Sequence, residues 1–231
     1  MDLKSKKAYL LIVAHPDDEV LGAGATIYKL SANSNNVSVA VMSMDARARK
    51  NRPDEGTLLA DSSSAMDLLG VRNIIKGNFP NMEMNTVPHL HLVQFIEKAI
   101  MEIMPDIIIT HHPSDTNNDH RQTSMACNAA IRLFQRRSDI KPMSEFWFME
   151  VSSSTEWSVN TAENRFQPNT FIEIGKDGLN KKIEALSLYR GVMREYPHPR
   201  SIEALTGLAA YRGSQAGLQY AEAFECVFRR V

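Results

Sequence analysis

Apolar residues along the first two thirds of the chain fall into two alternating patterns. Residues 8–14 (AYLLIVA), 37–43 (VSVAVMS), 71–77 (VRNIIKG) and 106–112 (DIIITHH) are short apolar runs, and they predict strands. Between them lie longer segments with helical spacing. GAGATIYKLSAN follows the first run; residues 55–69 carry Leu58, Leu59, Ala65, Met66, Leu68 and Leu69 before a stop at Gly70. Residues 87–104 place apolar side chains at 92, 93, 96, 100 and 103–104 and end at Pro105, and residues 120–137 read as a further helix. Continuous apolar strands joined by helices are the mark of parallel strands covered on both faces. The fold class predicted is therefore α/β: Rossmann-like, a mostly parallel sheet with helices on both faces. Towards the C-terminus, residues 146–151 and 170–174 read as strands around a polar loop. A helical region follows over 176–215, interrupted at 196–200 (YPHPR), where two prolines forbid a regular helix. No repeat or composition break divides the chain, so residues 1–231 are read as one domain.

Composition narrows the class. A hydrophobic fraction of 43% and a charged fraction of 23% are those of an ordinary globular domain, and a formal net charge of −1 offers no electrostatic case for nucleic acid or an acidic membrane surface. The two cysteines, Cys127 and Cys226, sit in apolar contexts and read as free thiols. The N-terminal lysines and short apolar run lack a small-residue cleavage site and flow directly into HPDDE, which suits a buried first strand better than a signal peptide. No apolar run of about 18 residues is present, so no transmembrane segment is expected, and the expected location is cytoplasmic.

Chemistry concentrates at two places. AHPDDE begins where the first strand ends, and in an open parallel sheet ligands bind beyond the carboxyl ends of strands. Pro16 stiffens the turn that follows His15. Asp17 and Asp18 are adjacent and point in different directions, so one can ligate a metal while the other stays available as a base; Glu19 suits a helix cap or a supporting hydrogen bond. A plain acidic helix cap is the competing reading, and the preceding His-Pro makes it less adequate. Gly22 and Gly24 lack the spacing of a dinucleotide fingerprint and are better explained by helix packing. The second place is HHPSDTNNDHR, residues 111–121, again at a strand's carboxyl end, with three histidines and two aspartates. Alone it could be a polar loop with Asp119 capping a helix. Together, two rim loops supplying His, Asp and His make an open three-ligand zinc site with room for water. His89 and His91, in an amphipathic helix, read as surface or packing residues. His198, held between Pro197 and Pro199, reads either as part of a rigid turn or as a group able to change charge near neutral pH beside the site.

AHPDDE after the first strand and the later D-x-N-x-D-H-R, Asp115 to Arg121, resemble the two signatures of the LmbE-like, or PIG-L-like, family of zinc-dependent N-deacetylases. KIEALSLYR, YPHPRS and AYRGSQAGLQYAEAF are similar to segments of its sugar-active members, so the resemblance runs from about residue 8 to 225. It implies His15, Asp18 and His120 as ligands of a Zn²⁺ cofactor and Asp17 as general base. It also implies Arg49, in the loop after the second strand, as a substrate contact. Many members carry a histidine three residues before the last ligand; here that position is Asn117, which can donate a neutral hydrogen bond but carries no charge. Asn117 and His198 are therefore the candidates for oxyanion binding and proton delivery, and His112 is a further candidate near the substrate.

The activity implied is removal of an N-acetyl group from an amino sugar or activated sugar precursor, with release of acetate. Hydrolysis of another amide, such as an acyl-amino sugar conjugate or antibiotic precursor, is the nearest alternative. A non-catalytic metal- or sugar-binding relative is another, and a retained base beside an intact ligand set argues against it. A nucleotide-binding Rossmann module is a third. The expected partner is a small N-acetyl sugar, and a homo-oligomer is compatible with this reading.

Overall fold

The computed structural model describes residues 6–45, 55–158 and 165–231. Strands β1 (Ala8–Val13), β2 (Asn36–Val41), β3 (Asn73–Lys76), β4 (Ile107–His111), β5 (Glu145–Met149), β6 (Thr170–Glu173) and β7 (Ala221–Arg229) form a seven-stranded sheet in the order β3-β2-β1-β4-β5-β7-β6. The pairs β3–β2, β2–β1, β1–β4 and β4–β5 are parallel, and β7 runs antiparallel to both β5 and β6. The helices are α1 (Asp18–Ala32), α2 (Glu55–Leu69), α3 (His89–Ile103), α4 (Asn118–Ala130), α5 (Leu133–Arg136), α6 (Gly175–Leu188) and α7 (Ile202–Gln215). The mostly parallel α/β architecture expected from the strand–helix alternation is present.

Period-two side-chain alternation splits the apolar strands between two cores. Tyr9, Leu11 and Val13 face one cluster with residues of α1, α2 and α6, whereas Leu10 and Ile12 face a second cluster with residues of α3 and α4. This is why the central strands read as unbroken apolar runs: both faces are buried.

Three boundaries differ from the sequence expectation. The helix expected over 120–137 starts earlier, and it divides after Ala130 into α4 and α5. The break expected at 196–200 in the helical region 176–215 is present but wider, with residues 189–201 separating two helices. Strand β7 had no counterpart in the pattern, because only its first four residues are fully buried and the second half is increasingly exposed. A parallel pattern also gives no sign that the last strand inserts between β5 and β6.

Helix α1 has a kink at Ala23 (φ −147°, ψ 17°), which separates its acidic first turn from the rest. The kink interrupts the helical hydrogen-bond ladder, and buried side chains take over. Lys182 Nζ donates to Leu21 O at 2.8 Å and to Glu222 Oε1 at 2.7 Å, while Glu222 accepts from the Ala25 and Thr26 amides at 3.2 and 2.7 Å. At Gly22 a Cβ would lie 2.4 Å from Met149 Sδ, so α1 approaches the end of β5 closely at this point. The packing reading of this glycine holds.

Candidate metal centre

The carboxyl ends of β1 and β4 are neighbours in the sheet, which brings the two sequence clusters onto one rim. Asp17 ends the β1 turn with a left-handed backbone (φ 99°, ψ −27°), and α1 starts at Asp18. That sharp turn sends consecutive carboxylates in different directions. The Asp18 carboxylate folds back: its Oδ2 accepts from the His15 amide at 2.9 Å and lies 3.4 Å from His15 Nδ1 and 3.3 Å from His120 Nε2. One ligand atom from each of His15, Asp18 and His120 lies within 4.8 Å of the others, and all three residues are buried. The structure thus brings together the three residues expected as ligands.

Each imidazole presents its other nitrogen to a second carboxylate. His15 Nε2 is 3.0 Å from Asp119 Oδ2, and His120 Nδ1 is 3.1 Å from Asp115 Oδ2. Such outer carboxylates set the tautomer and raise the basicity of a ligating histidine. Asp119 also accepts from the amides of Met82 and Met84, and Asp115 accepts from Asn117 N at 2.8 Å, Thr155 Oγ1 at 2.7 Å and Ser154 Oγ. Asp119 is therefore no helix cap. Asn117 is the cap of α4, its Oδ1 accepting from Asp119 N at 2.9 Å.

Electrostatics agree with a cation-seeking cluster. Burial works against charge on His120, yet Asp18 and Asp115 together raise its pKa to about 10. Burial also opposes the Asp18 carboxylate, but the surrounding histidines hold it well below the usual carboxylate range. Three buried carboxylates around two imidazoles leave net negative charge, which protons or a metal ion can offset. The donor chemistry fits a divalent metal.

A second possible grouping, His111, Asp115 and His120, shares one residue with the first. His111 was not singled out by sequence reasoning. It is fully buried and stacks on His120 at 3.9 Å between ring centroids; its Nε2 accepts from the Ala14 amide at 2.9 Å. That bond occupies the nitrogen nearest Asp18, and burial pushes the His111 pKa down to about 3. His111 packs its ring flat against that of His120.

Glu19 Oε2 accepts from Asp17 N at 3.2 Å and its Oε1 accepts from Tyr189 OH at 2.6 Å; burial raises its pKa to about 8. It supports the Asp17 turn from behind, one of the two roles expected of it. Asp17 itself is 1% exposed, and its Oδ2 lies 3.4 Å from Arg200 Nη1.

His112 is buried; its Nδ1 faces Ser114 and its Nε2 lies 3.3 Å from Glu225 Oε2, so both ring nitrogens are engaged away from His15 and Asp18. His198 is exposed, and its Nδ1 accepts from the Arg200 amide at 3.0 Å. Among the described residues, no contact joins His198 to Asp17 or to the three ligands. Arg49 lies outside the described residues. His89 and His91 are exposed on α3, as expected. Cys127 and Cys226 are both free; Cys127 is buried and Cys226 half-buried. Among the described residues, no helix is long and apolar enough to cross a membrane.

Asp115, Asp119, His111 and Arg200 are thus the site residues that sequence reasoning missed or misjudged. Asp115 and Asp119 flank His120 within the second signature, and that proximity was the available signal. Arg200 had only its nearness to His198.

A buried His/Asp/His cluster at the ends of two adjacent parallel strands gives this α/β sheet a rim that could hold a metal ion. Residues 10–131 match the family described as PIG-L, GlcNAc-PI de-N-acetylase, and the chain belongs to that family of deacetylases. It is 29% identical over 193 residues to the uncharacterized deacetylase YaiS of Escherichia coli (strain K12), covering 80% of this chain and 91% of that one. Among solved structures, it is similar to the N,N'-diacetylchitobiose deacetylase of Pyrococcus horikoshii (TM-score 0.77, 21% identity, 97% of this chain and 85% of that one). It is similar also to GalB, the 4-carboxy-2-hydroxymuconate hydratase of Pseudomonas putida KT2440 (TM-score 0.76, 19% identity, 97% and 98%). The fold therefore serves more than one reaction, and the chemistry must be argued from the site.

Proposed function

We propose that this protein is a zinc-dependent hydrolase that removes the N-acetyl group from an amino sugar or activated sugar precursor, with His15, Asp18 and His120 as the metal ligands and Asp17 as general base. The observation that carries this reading is the convergence of two imidazoles and one carboxylate, each imidazole backed by its own carboxylate, with the next carboxylate in the chain, Asp17, outside that group and facing Arg200. Four donors at zinc-ligand distances in a tetrahedron stand about 3.3–3.6 Å apart; the His15–Asp18 and His120–Asp18 spacings are 3.4 and 3.3 Å.

Bound there, zinc would act as a Lewis acid that polarises the acetamide carbonyl and makes water acidic enough to attack at neutral pH. Asp17 accepts a proton from the attacking water as the new C–O bond forms. The same carboxyl returns the proton to the amide nitrogen as the C–N bond breaks, so that acetate and a free amine leave. Asn117 caps α4 through its oxygen and its Nδ2 donates to Met82 Sδ at 3.8 Å, so only its second N–H is kept as a donor for the oxyanion. His198 is less suited to a cationic role in binding that oxyanion, because partial desolvation and the neighbouring charges of Arg200 and Arg194 lower its pKa. Arg49 is kept as a contact for sugar hydroxyls or phosphate.

The test is metal analysis of the purified protein, followed by acetate release across free, nucleotide-linked and lipid-linked N-acetyl sugars. One zinc per chain with acetate release from one class is expected. Bound metal with no acetate from any class would refute the deacetylase assignment.

A further inference from the structure

Segment 196–200 delivers an arginine to the site. His198 N donates to Glu195 O and Ser201 N donates to His198 O, so the chain between α6 and α7 is a series of tight turns. His198 Nδ1 then accepts from the Arg200 amide at 3.0 Å, which fixes the point where the Arg200 side chain departs. That side chain, about a quarter exposed, reaches two partners: its Nε donates to Ser153 Oγ at 2.8 Å and its Nη1 lies 3.4 Å from Asp17 Oδ2.

Ser153 is itself held. It has a left-handed backbone (φ 76°), and the amides of Ser153 and Ser154 donate to the Glu156 carboxylate at 2.6 and 3.0 Å. The next two residues, Ser154 and Thr155, donate to Asp115, the carboxylate behind His120. One short loop after β5 therefore braces both halves of the site. Through Asp115 it steadies a metal ligand; through Ser153 it steadies the guanidinium that faces Asp17.

We infer that Arg200 is a positioning residue for Asp17: anchored by Ser153, its guanidinium holds the Asp17 carboxylate in the rotamer that faces the reacting water. Asp17 sits on a left-handed backbone at the start of α1, and the guanidinium at 3.4 Å restricts the rotamers open to its carboxylate. The bidentate-capable guanidinium of arginine suits this better than a lysine ammonium, since one edge is spent on Ser153 and the other on Asp17. His198, two residues earlier, takes part only through its hydrogen bond to the Arg200 amide.

The inference rests on the deacetylase reading for its kinetic arm and stands apart from it for its structural arm. Arg200→Ala and Arg200→Lys are compared with the wild type for metal content, kcat and KM on the acetamide substrate, and by crystal structures with zinc bound. Arg200→Ala is expected to keep its zinc and its KM within about threefold and to lose about 10²-fold in kcat, the scale of a reacting group misplaced by an ångström. Methylguanidinium chloride is expected to restore part of that loss and methylammonium chloride less, which a merely structural arginine would not allow. Ser153→Ala is expected to lose less than Arg200→Ala. In the crystal structure of Arg200→Ala the Asp17 carboxylate should leave its wild-type rotamer while Asp18 stays. An unmoved Asp17 in that structure overturns the inference, as does unchanged kcat, or a raised KM with unchanged kcat. If the wild type releases acetate from no substrate, the functional reading falls, and the position of Asp17 in the variant still decides the role of Arg200.

Discussion

Replacing Asp119 by Asn tests the carboxylate behind His15 and allows the cost to be worked out in advance. Asp119 is fully buried and receives three hydrogen bonds: Oδ2 from His15 Nε2 and Met82 N, and Oδ1 from Met84 N. An amide has one acceptor oxygen. With the oxygen in the Oδ2 position, only the Met84 amide loses its acceptor; with the amide reversed, both His15 and Met82 do. The first orientation should therefore prevail, leaving one buried N–H facing an NH₂ group. That costs about 1–3 kcal/mol, or a fall in Tm of about 2–12 °C for a chain of this length. His15 keeps its hydrogen bond but loses the negative charge behind it, so metal affinity should fall by about 10–100-fold. Asp119→Ala removes all three acceptors and should cost more on both counts. The assays are chelator competition for the metal and thermal unfolding of the metal-free protein. Metal affinity within twofold of wild type in Asp119→Asn would mean that Asp119 does not tune His15, and the choice of Nδ1 as its metal-facing nitrogen would be wrong.

His120→Ala and Asp18→Ala should each abolish stoichiometric metal by elemental analysis, and full retention in both would overturn the ligand set. Asp17→Asn should keep the metal and lose roughly 10²–10⁴-fold in rate; loss of metal instead would mean that Asp17 and Asp18 exchange roles. Lys182→Met strands Glu222 in the core, 5% exposed, and should cost about 3–5 kcal/mol by thermal unfolding. Adding Glu222→Gln should recover part of that loss, because it removes the stranded charge while the amide oxygen still accepts from the Thr26 amide, at the cost of the weaker Ala25 bond; simple addition of two losses would contradict this account of the kink.

How far the chain alone carries the reading depends on the kind of interaction. Local rules sufficed for the parallel strands, whose apolar runs are unbroken where both faces are covered and short at the edge strand β3, and for the helices that connect them. They also sufficed to place His15, Asp18 and His120 together, since each motif follows directly on a strand end and strand ends share a rim in this class of fold. What they could not supply was the direction of a side chain and its distant partner. Asp119 reads as a cap from its place at the head of a helix; only the approach of His15, 104 residues earlier in the chain, makes it the partner of that imidazole. His111 and His112 are neighbours in sequence, yet strand alternation sends the first onto His120 and the second towards Glu225. His198 reads either as part of a rigid turn or as a group beside the site, and the fold makes it part of the turn that sets Arg200, two residues on, against Asp17, 183 residues away. Strand β7 escaped for the same reason: its place between β5 and β6 is decided by long-range pairing, and its half-exposed pattern carries little periodicity of its own. Periodicity and motif spacing record what each residue does to its neighbours along the chain. Which side chains meet across the sheet, and which nitrogen of a histidine faces which carboxylate, exists only once the strands are ordered.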